Sequence, residues 1–355
     1  SNSNSNSNSN SDSNSNGNDN KGPPTSVQLS AELCKIVDFH YTRDEGVLAL
    51  VQLFIWTNQH PNDPNFWKYF YRYGGLAKVF DFLSATMNDS NCKGKLRMAC
   101  INNTALLITM VCRGVCSRKP RGINKDIATK IATSAIDCNG IDILIHASKE
   151  YNGGNDHFEL SAANSVWGVF ASITCIQIQM SEDQALFGVN KGLDIFIAGL
   201  DMMSFLRTVD GTIASELLRR VFITLGHLVE NDNVTRIFFN GINTLAKCLD
   251  IFRKNNSTWE CRTAALMNVA VQFFTSCFLR GFYDLGSDYE KLLHFIIFGA
   301  KKFPENILIQ KLAVNLLTGS WDKYNGKIVV ERIGTMEVLE ALLVTDDVDE
   351  CFKNI

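Results

Sequence analysis

The 355-residue sequence lacks the short motifs that mark common catalytic sites. It contains no G-x-x-x-x-G-K-[ST] phosphate loop, no G-x-S-x-G nucleophile elbow, no H-E-x-x-H metal motif and no kinase signature set. Its six histidines have no acidic or cysteine partners at catalytic spacing. Cys112 and Cys116 could share a helical face, but no second pair completes a zinc site. The sequence therefore predicts a protein without enzymatic activity, metal or cofactor.

The chain also lacks a strong net charge and a long apolar run. Its 34 basic and 37 acidic residues give a net charge of -3, so no overall field draws it to nucleic acid or to an anionic membrane. The nearest approach to a membrane span, Leu292 to Ala300, is about half the roughly 20 residues that a bilayer requires, and no charged-then-apolar leader opens the chain. We expect a soluble protein of the cytoplasm or nucleus, and a fragment of a longer chain, because it begins with Ser1 rather than Met.

The cysteines do not form a paired framework. The chain has eleven of them, an odd number, and five lie within apolar runs: Cys100, Cys175, Cys248, Cys261 and Cys277. Such positions are typical of reduced thiols that pack as small hydrophobic side chains. A reducing compartment is expected.

The N-terminal segment has no apolar side chain before Pro23. Serine and asparagine alternate from Ser1 to Asn16, and a tract of this composition cannot offset the entropy of ordering. We predict a disordered tail over residues 1–25 and a folded part over residues 26–355.

Helical periodicity recurs through the folded part. The clearest unit, Asn240 to Phe274, has an apolar run opened by Gly241, a polar break at Lys254 to Ser257, and a second apolar run, which predicts two antiparallel helices. Glycines at the matching place in successive units are about 45 to 52 residues apart, near the length of HEAT and armadillo repeats. These glycines are Gly140, Gly192, Gly241, Gly286 and Gly334.

The last helix of each unit carries a polar residue in an apolar frame. The segment Ala265-Leu266-Met267-Asn268-Val269 matches the Ala-Leu-x-Asn-Leu-like pattern of the armadillo repeat family almost fully, and Ala313-Val314-Asn315-Leu316 matches it well. With the glycine before the second helix, the chain resembles this family from about Val27 to Leu343. The resemblance implies an all-α, right-handed α-solenoid of about five to six helical repeats.

In that family the third helices line a concave face, and the asparagine binds the main chain of an extended peptide. The resemblance therefore implies a partner-binding row of Gln52, Thr109, Ser172, His227, Asn268 and Asn315. An amide or hydroxyl can satisfy peptide N–H and C=O groups whatever the side chains of the peptide are. The alternative is that these six residues bond within the scaffold or to water.

One departure concerns nuclear-import carriers of this family, which place tryptophan four residues before the asparagine. Here those positions hold Leu48, Ala105, Gly168, Ile223, Ala264 and Lys311. The five tryptophans fall elsewhere, where core or rim packing is expected: Trp56, Trp67, Trp167, Trp259 and Trp321. No arginine-rich autoinhibitory arm precedes the first repeat either, so a nuclear-import adaptor is disfavoured.

A basic segment interrupts the repeat pattern between Arg113 and Lys125. It contains Pro120, no acidic residue and five basic ones: Arg113, Arg118, Lys119, Arg121 and Lys125. An inserted, solvated loop is the simplest interpretation. The alternative is a site for an acidic partner or for the surface of a nucleic acid, binding of which would weaken with salt.

The favoured function is a non-catalytic scaffold or adaptor that binds another protein or an extended peptide in a groove. An alternative of another class is an armadillo-type regulator that chaperones a small GTPase or exchanges its nucleotide. A catalytic enzyme ranks third, because it would need a site built from residues without a recognisable motif.

Overall fold

The computed structural model describes residues 23–37, 43–60, 63–116, 133, 139–179, 189–206, 209, 211–230, 244–254, 258–279 and 286–320. Thirteen α-helices lie in these ranges: α1 Ser26–Val37, α2 Arg43–Gln59, α3 Pro64–Arg72, α4 Gly75–Asn88, α5 Gly94–Cys116, α6 Gly140–Ser148, α7 His157–Gln179, α8 Val189–Leu206, α9 Thr212–Val229, α10 Thr244–Asp250, α11 Ala264–Leu279, α12 Gly286–Lys302 and α13 Ile307–Ser320. Two short strands, β1 Arg253–Lys254 and β2 Thr258–Trp259, pair antiparallel. Apart from this ladder the described chain is all-helical, as predicted.

The helices stack in two rows. In the first row, α2, α5, α7, α9, α11 and α13 follow one another, each packed on the next. In the second row, α4, α6, α8, α10 and α12 do the same, while α1 packs on α2, α3 and α4 at the beginning of the array. Helices of the two rows also pack on each other, because each has an apolar face that must be buried.

Local sequence explains several helix boundaries. Asp63 accepts a hydrogen bond from the backbone N–H of Asn65, and Pro64 occupies the first helical position of α3, where no N–H is needed. The helix ends before Gly74, which has a φ of 64°, a left-handed conformation that glycine adopts without penalty. Gly74 therefore separates α3 from α4.

The core between the rows is made of close-packed aromatic and aliphatic side chains. Trp67 and Trp167 are fully buried, in line with the expected packing role of tryptophan, and Phe222 contacts Phe252, Phe273 and Phe274 with ring centroids 5.4 to 6.1 Å apart. Eight cysteines lie in the described ranges, and none of these eight forms a disulfide, as expected for reduced thiols. Burial raises the pKa of Cys112 to about 12, which keeps this thiol protonated and unsuited to bind a metal.

Several expected boundaries differ from the structure. Helix α5 continues to Cys116, so Arg113 belongs to a helix and not to an inserted loop. Gly192 lies one turn inside α8 instead of opening it. The strands β1 and β2 lie on either side of the polar break after α10, and the helical periodicity did not predict this ladder. Residues 1–22 of the tail expected over residues 1–25 lie outside the described residues, as do Gly241 and Gly334.

Candidate functional site

The first row presents a continuous stripe of accessible side chains to solvent. On each helix the partly exposed positions recur every three or four residues, as expected when the opposite side is packed against the core. We call this stripe the first-row surface. It includes Leu48, Gln52 and Ile55 on α2, Asn102, Asn103 and Leu106 on α5, Asn164, Ala171 and Ser172 on α7, Glu216, Arg219, Arg220, Ile223 and His227 on α9, and Asn268, Val269 and Gln272 on α11.

Hydrogen bonds between neighbouring helices establish their relative direction. Arg220 Nη1 of α9 donates to the Asn164 carbonyl oxygen of α7 over 2.7 Å. Seven residues further along α9, His227 Nδ1 lies 3.0 Å from Thr174 Oγ1, which is further along α7. Both helices therefore run in the same direction, so equivalent positions are neighbours across the surface. Helix α5 joins them through a 2.7 Å bond from Ser165 Oγ to Asn102 Oδ1.

All six residues of the predicted row lie on first-row helices, but their environments differ. Gln52 is partly exposed on α2. Thr109 is only 4% exposed, so its hydroxyl faces a neighbouring helix rather than solvent. Ser172 is partly exposed and donates to the Gly168 carbonyl oxygen one turn earlier, at 2.9 Å. Asn315 lies on α13, with its side chain outside the described part.

His227 contributes to the contact between α7 and α9. Its ring is bonded to Thr174 and is partly buried. Desolvation of the ring lowers the pKa of His227 to about 4, although a hydrogen bond with the backbone of Ala171 opposes the shift. The imidazole is therefore neutral near pH 7. It serves as a packing residue at the edge of the first-row surface.

Asn268 shows a different feature. The residue is partly exposed, but its Oδ1 atom is buried and has no hydrogen-bond partner among the described residues. Asn164 Oδ1 on α7 is also buried and has no hydrogen-bond partner among the described residues. An unsatisfied amide oxygen costs free energy in the isolated chain, and rotation of the side chain would allow it to accept a donor from a bound segment.

Sequence reasoning missed an ion cluster in the middle of α9. Arg219 binds Glu216 with two bonds, Nε to Oε2 at 2.6 Å and Nη2 to Oε1 at 2.7 Å, and Arg220 Nε reaches Glu216 Oε1 at 3.1 Å. These bonds, that of Arg219 first, lower the pKa of Glu216, while burial opposes the shift. The spacing of Glu216 from the two arginines, three and four residues, was the available signal.

A cleft of about 460 Å³ lies at the beginning of α5 and α7. Arg97 is held there by Glu150 and by the carbonyl oxygens of Cys92 and Asp89, at 2.7 to 3.1 Å. Asp156 accepts the N–H groups of Phe158 and Glu159 at the start of α7. These charged groups are used to join chain segments, so the cleft is less suited to bind a ligand than the first-row surface.

The described residues contain no group of three or more His, Cys, Asp or Glu side chains that could hold a metal ion. Nor does any helix in the described ranges have the length and apolar character needed to cross a membrane. Of the five basic residues predicted near position 120, Arg113 is in α5 with its side chain undescribed, and Arg118, Lys119, Arg121 and Lys125 fall outside the described residues.

Comparison of this chain with models of protein families, with curated proteins and with solved structures gives no significant match.

Proposed function

We propose that this protein is a non-catalytic scaffold or adaptor that binds an extended segment of another protein along the first-row surface. The proposal treats the array as a right-handed, armadillo-like solenoid of about five to six repeats. The observation that carries it is the accessible stripe that continues from α2 to α11 and combines apolar side chains with amides.

The chemistry of this stripe suits an extended peptide. Neighbouring helices are spaced by roughly 10 Å, and an extended chain advances about 3.3 Å per residue, so each helix would meet roughly every third residue of the segment. Amides such as Asn103 and Gln272 can bind the main chain, while Leu48 and Ile55, 67% and 38% exposed, can pack against apolar side chains. Crossing the five helices would take about 12 residues.

A further observation bears on the compartment. None of the eight described cysteines forms a disulfide, which favours the cytoplasm or nucleus. The GTPase regulator would use the same surface, and the identity of the captured partner decides between the two functions.

The test is to capture partners from a cell lysate with the full chain and to compare two surface variants. Asn268→Ala should weaken the captured partner by roughly 1 to 3 kcal/mol, because peptide groups lose their amide. Its melting temperature should change little, since the amide oxygen of Asn268 has no partner to lose. Asp201→Ala, at an exposed site of α8 in the second row, is the matched control.

If Asp201→Ala weakens binding of the partner as much as Asn268→Ala does, the binding is not specific to the first-row surface, which would contradict the proposal. Unchanged binding with Asn268→Ala and with the bulkier Gln272→Arg would refute the first-row surface as the binding site.

A further inference from the structure

The middle of the first-row surface has a net positive charge in otherwise uncharged surroundings. The central parts of α5 and α7, Met98–Cys112 and Leu160–Gln179, contain no Asp, Glu, Lys or Arg, and neither does α11. Helix α9, between α7 and α11, contributes Glu216, Arg219 and Arg220. Two guanidinium groups and one carboxylate leave an excess of one positive charge there.

Both arginines are held in place. Arg219 and Arg220 share Glu216, and their side chains are only 31% and 17% exposed. Arg220 is further fixed by the bond from Nη1 to the Asn164 carbonyl oxygen. Partial burial strengthens the interaction of a charge with an outside anion, and a pre-positioned guanidinium loses little entropy when it binds one.

The backbone of α7 provides the space for this arrangement. A Cβ atom at Gly168 would lie 2.4 Å from Arg220 Nη1 and 3.3 Å from its Cζ, so the guanidinium rests directly on this glycine. The neighbours of Gly168, Trp167 and Val169, are fully buried in the core. Gly168 thus allows the arginine of one repeat to lie across the helix of the preceding repeat, at the centre of the surface.

We propose that Arg219 and Arg220 form an anion-binding anchor for an acidic side chain, Asp or Glu, of the extended segment bound by the first-row surface. The inference rests on the proposed function and specifies the chemistry of its partner. Among the described residues, the bonds of Arg220 use its Nε and Nη1 atoms, and Nη2 would donate to the incoming carboxylate. Glu216 is a positioning residue, which orients both guanidinium groups and neutralises one of them.

The test uses the full chain and libraries of synthetic peptides of about 12 residues, random except for a central Glu, Gln or Lys. A peptide selected from the Glu library and its Glu→Gln counterpart are then compared by fluorescence titration. Wild-type protein should bind the Glu peptide roughly tenfold or more tightly, and the difference should shrink with salt.

Three variants examine the geometry. Arg220→Gln removes one charge, whereas Gly168→Ala keeps every charge and displaces the Arg220 guanidinium; both should remove most of the preference for Glu. Alanine suits a helix interior, and its Cβ would meet only the terminal atoms of a side chain, which can shift at the cost of their bonds, so Gly168→Ala should remain folded even if Arg220→Gln does not. Arg72→Gln, at an exposed site of α3, is the control and should retain the preference.

Equal binding of the Glu and Gln peptides by wild-type protein, with binding still sensitive to Asn268→Ala, would overturn the anchor and leave the proposed function intact. A preference for Glu that survives Gly168→Ala and Arg220→Gln would also overturn it. If no library binds, or if bound peptides are insensitive to both Asn268→Ala and Gln272→Arg, the proposed function fails as well.

Discussion

Stability should depend on pH through His227 in a predictable direction. Its partly buried ring has a pKa of about 4 in the folded chain against an ordinary value of 6.5, because desolvation disfavours the imidazolium. Between these two values the unfolded chain binds more protons than the folded chain. The contribution of His227 is therefore fully present above pH 6.5 and is lost as the pH falls towards about 4.

The size of the effect follows from the two pKa values. With one proton bound by the unfolded chain and almost none by the folded chain, the linkage relation gives a loss of about 2 kcal/mol between about pH 7.5 and about pH 5. Carboxylates elsewhere also titrate in this range. The relevant quantity is consequently the difference between wild-type protein and a variant without the imidazole.

Urea unfolding of the full chain, at both pH values, measures this difference. His227→Gln should lose about 2 kcal/mol less free energy of unfolding than wild type over the interval. His146→Gln, at an exposed position of α6, controls for the replacement of a histidine as such. Parallel pH dependence of wild type and His227→Gln would show that the ring is not desolvated between α7 and α9, and would refute the packing role assigned to it.

Two other predictions concern glycines and thiols. Gly226→Ala should raise the free energy of unfolding by about 0.5 to 1 kcal/mol, because the added Cβ on α9 has no described atom within 4 Å apart from the backbone of its own helix. Gly299→Ala should lower it by about 1 to 3 kcal/mol, because its Cβ would overlap Met267 across α11 and α12. Thermal or urea unfolding of both variants checks the opposite signs, and equal effects would contradict the packing. In the native chain near pH 7.5, a thiol reagent should modify the exposed Cys34 well before Cys112 and Cys261, because the buried thiols of the latter two have pKa values of about 12. Peptide mapping after labelling measures the order, and faster labelling of Cys112 would contradict its burial.

The sequence alone determined the helical class and much of the helix order. Apolar residues at helical spacing predict helices through the folded part, because a helix must bury one face. Helices α6 and α12 begin at Gly140 and Gly286, two of the glycines that the repeat spacing singled out, whereas Gly192 lies inside α8. The six residues that the frame around Asn268 singled out lie on helices that pack in one row, and their binding of a partner stays a prediction. No catalytic or ligand-binding motif of known spacing was present to name a site.

Only the tertiary structure decided which polar residues face solvent. The same sequence frame leaves Gln52 accessible, buries Thr109 and joins His227 to a neighbouring helix, because the crossing of adjacent helices, and not periodicity, determines the depth of each position. Arg220 and Gly168 are 52 positions apart, and nothing local links them. Their contact exists because α9 stacks in parallel on α7, which brings a long side chain of α9 over Gly168, the only glycine of α7.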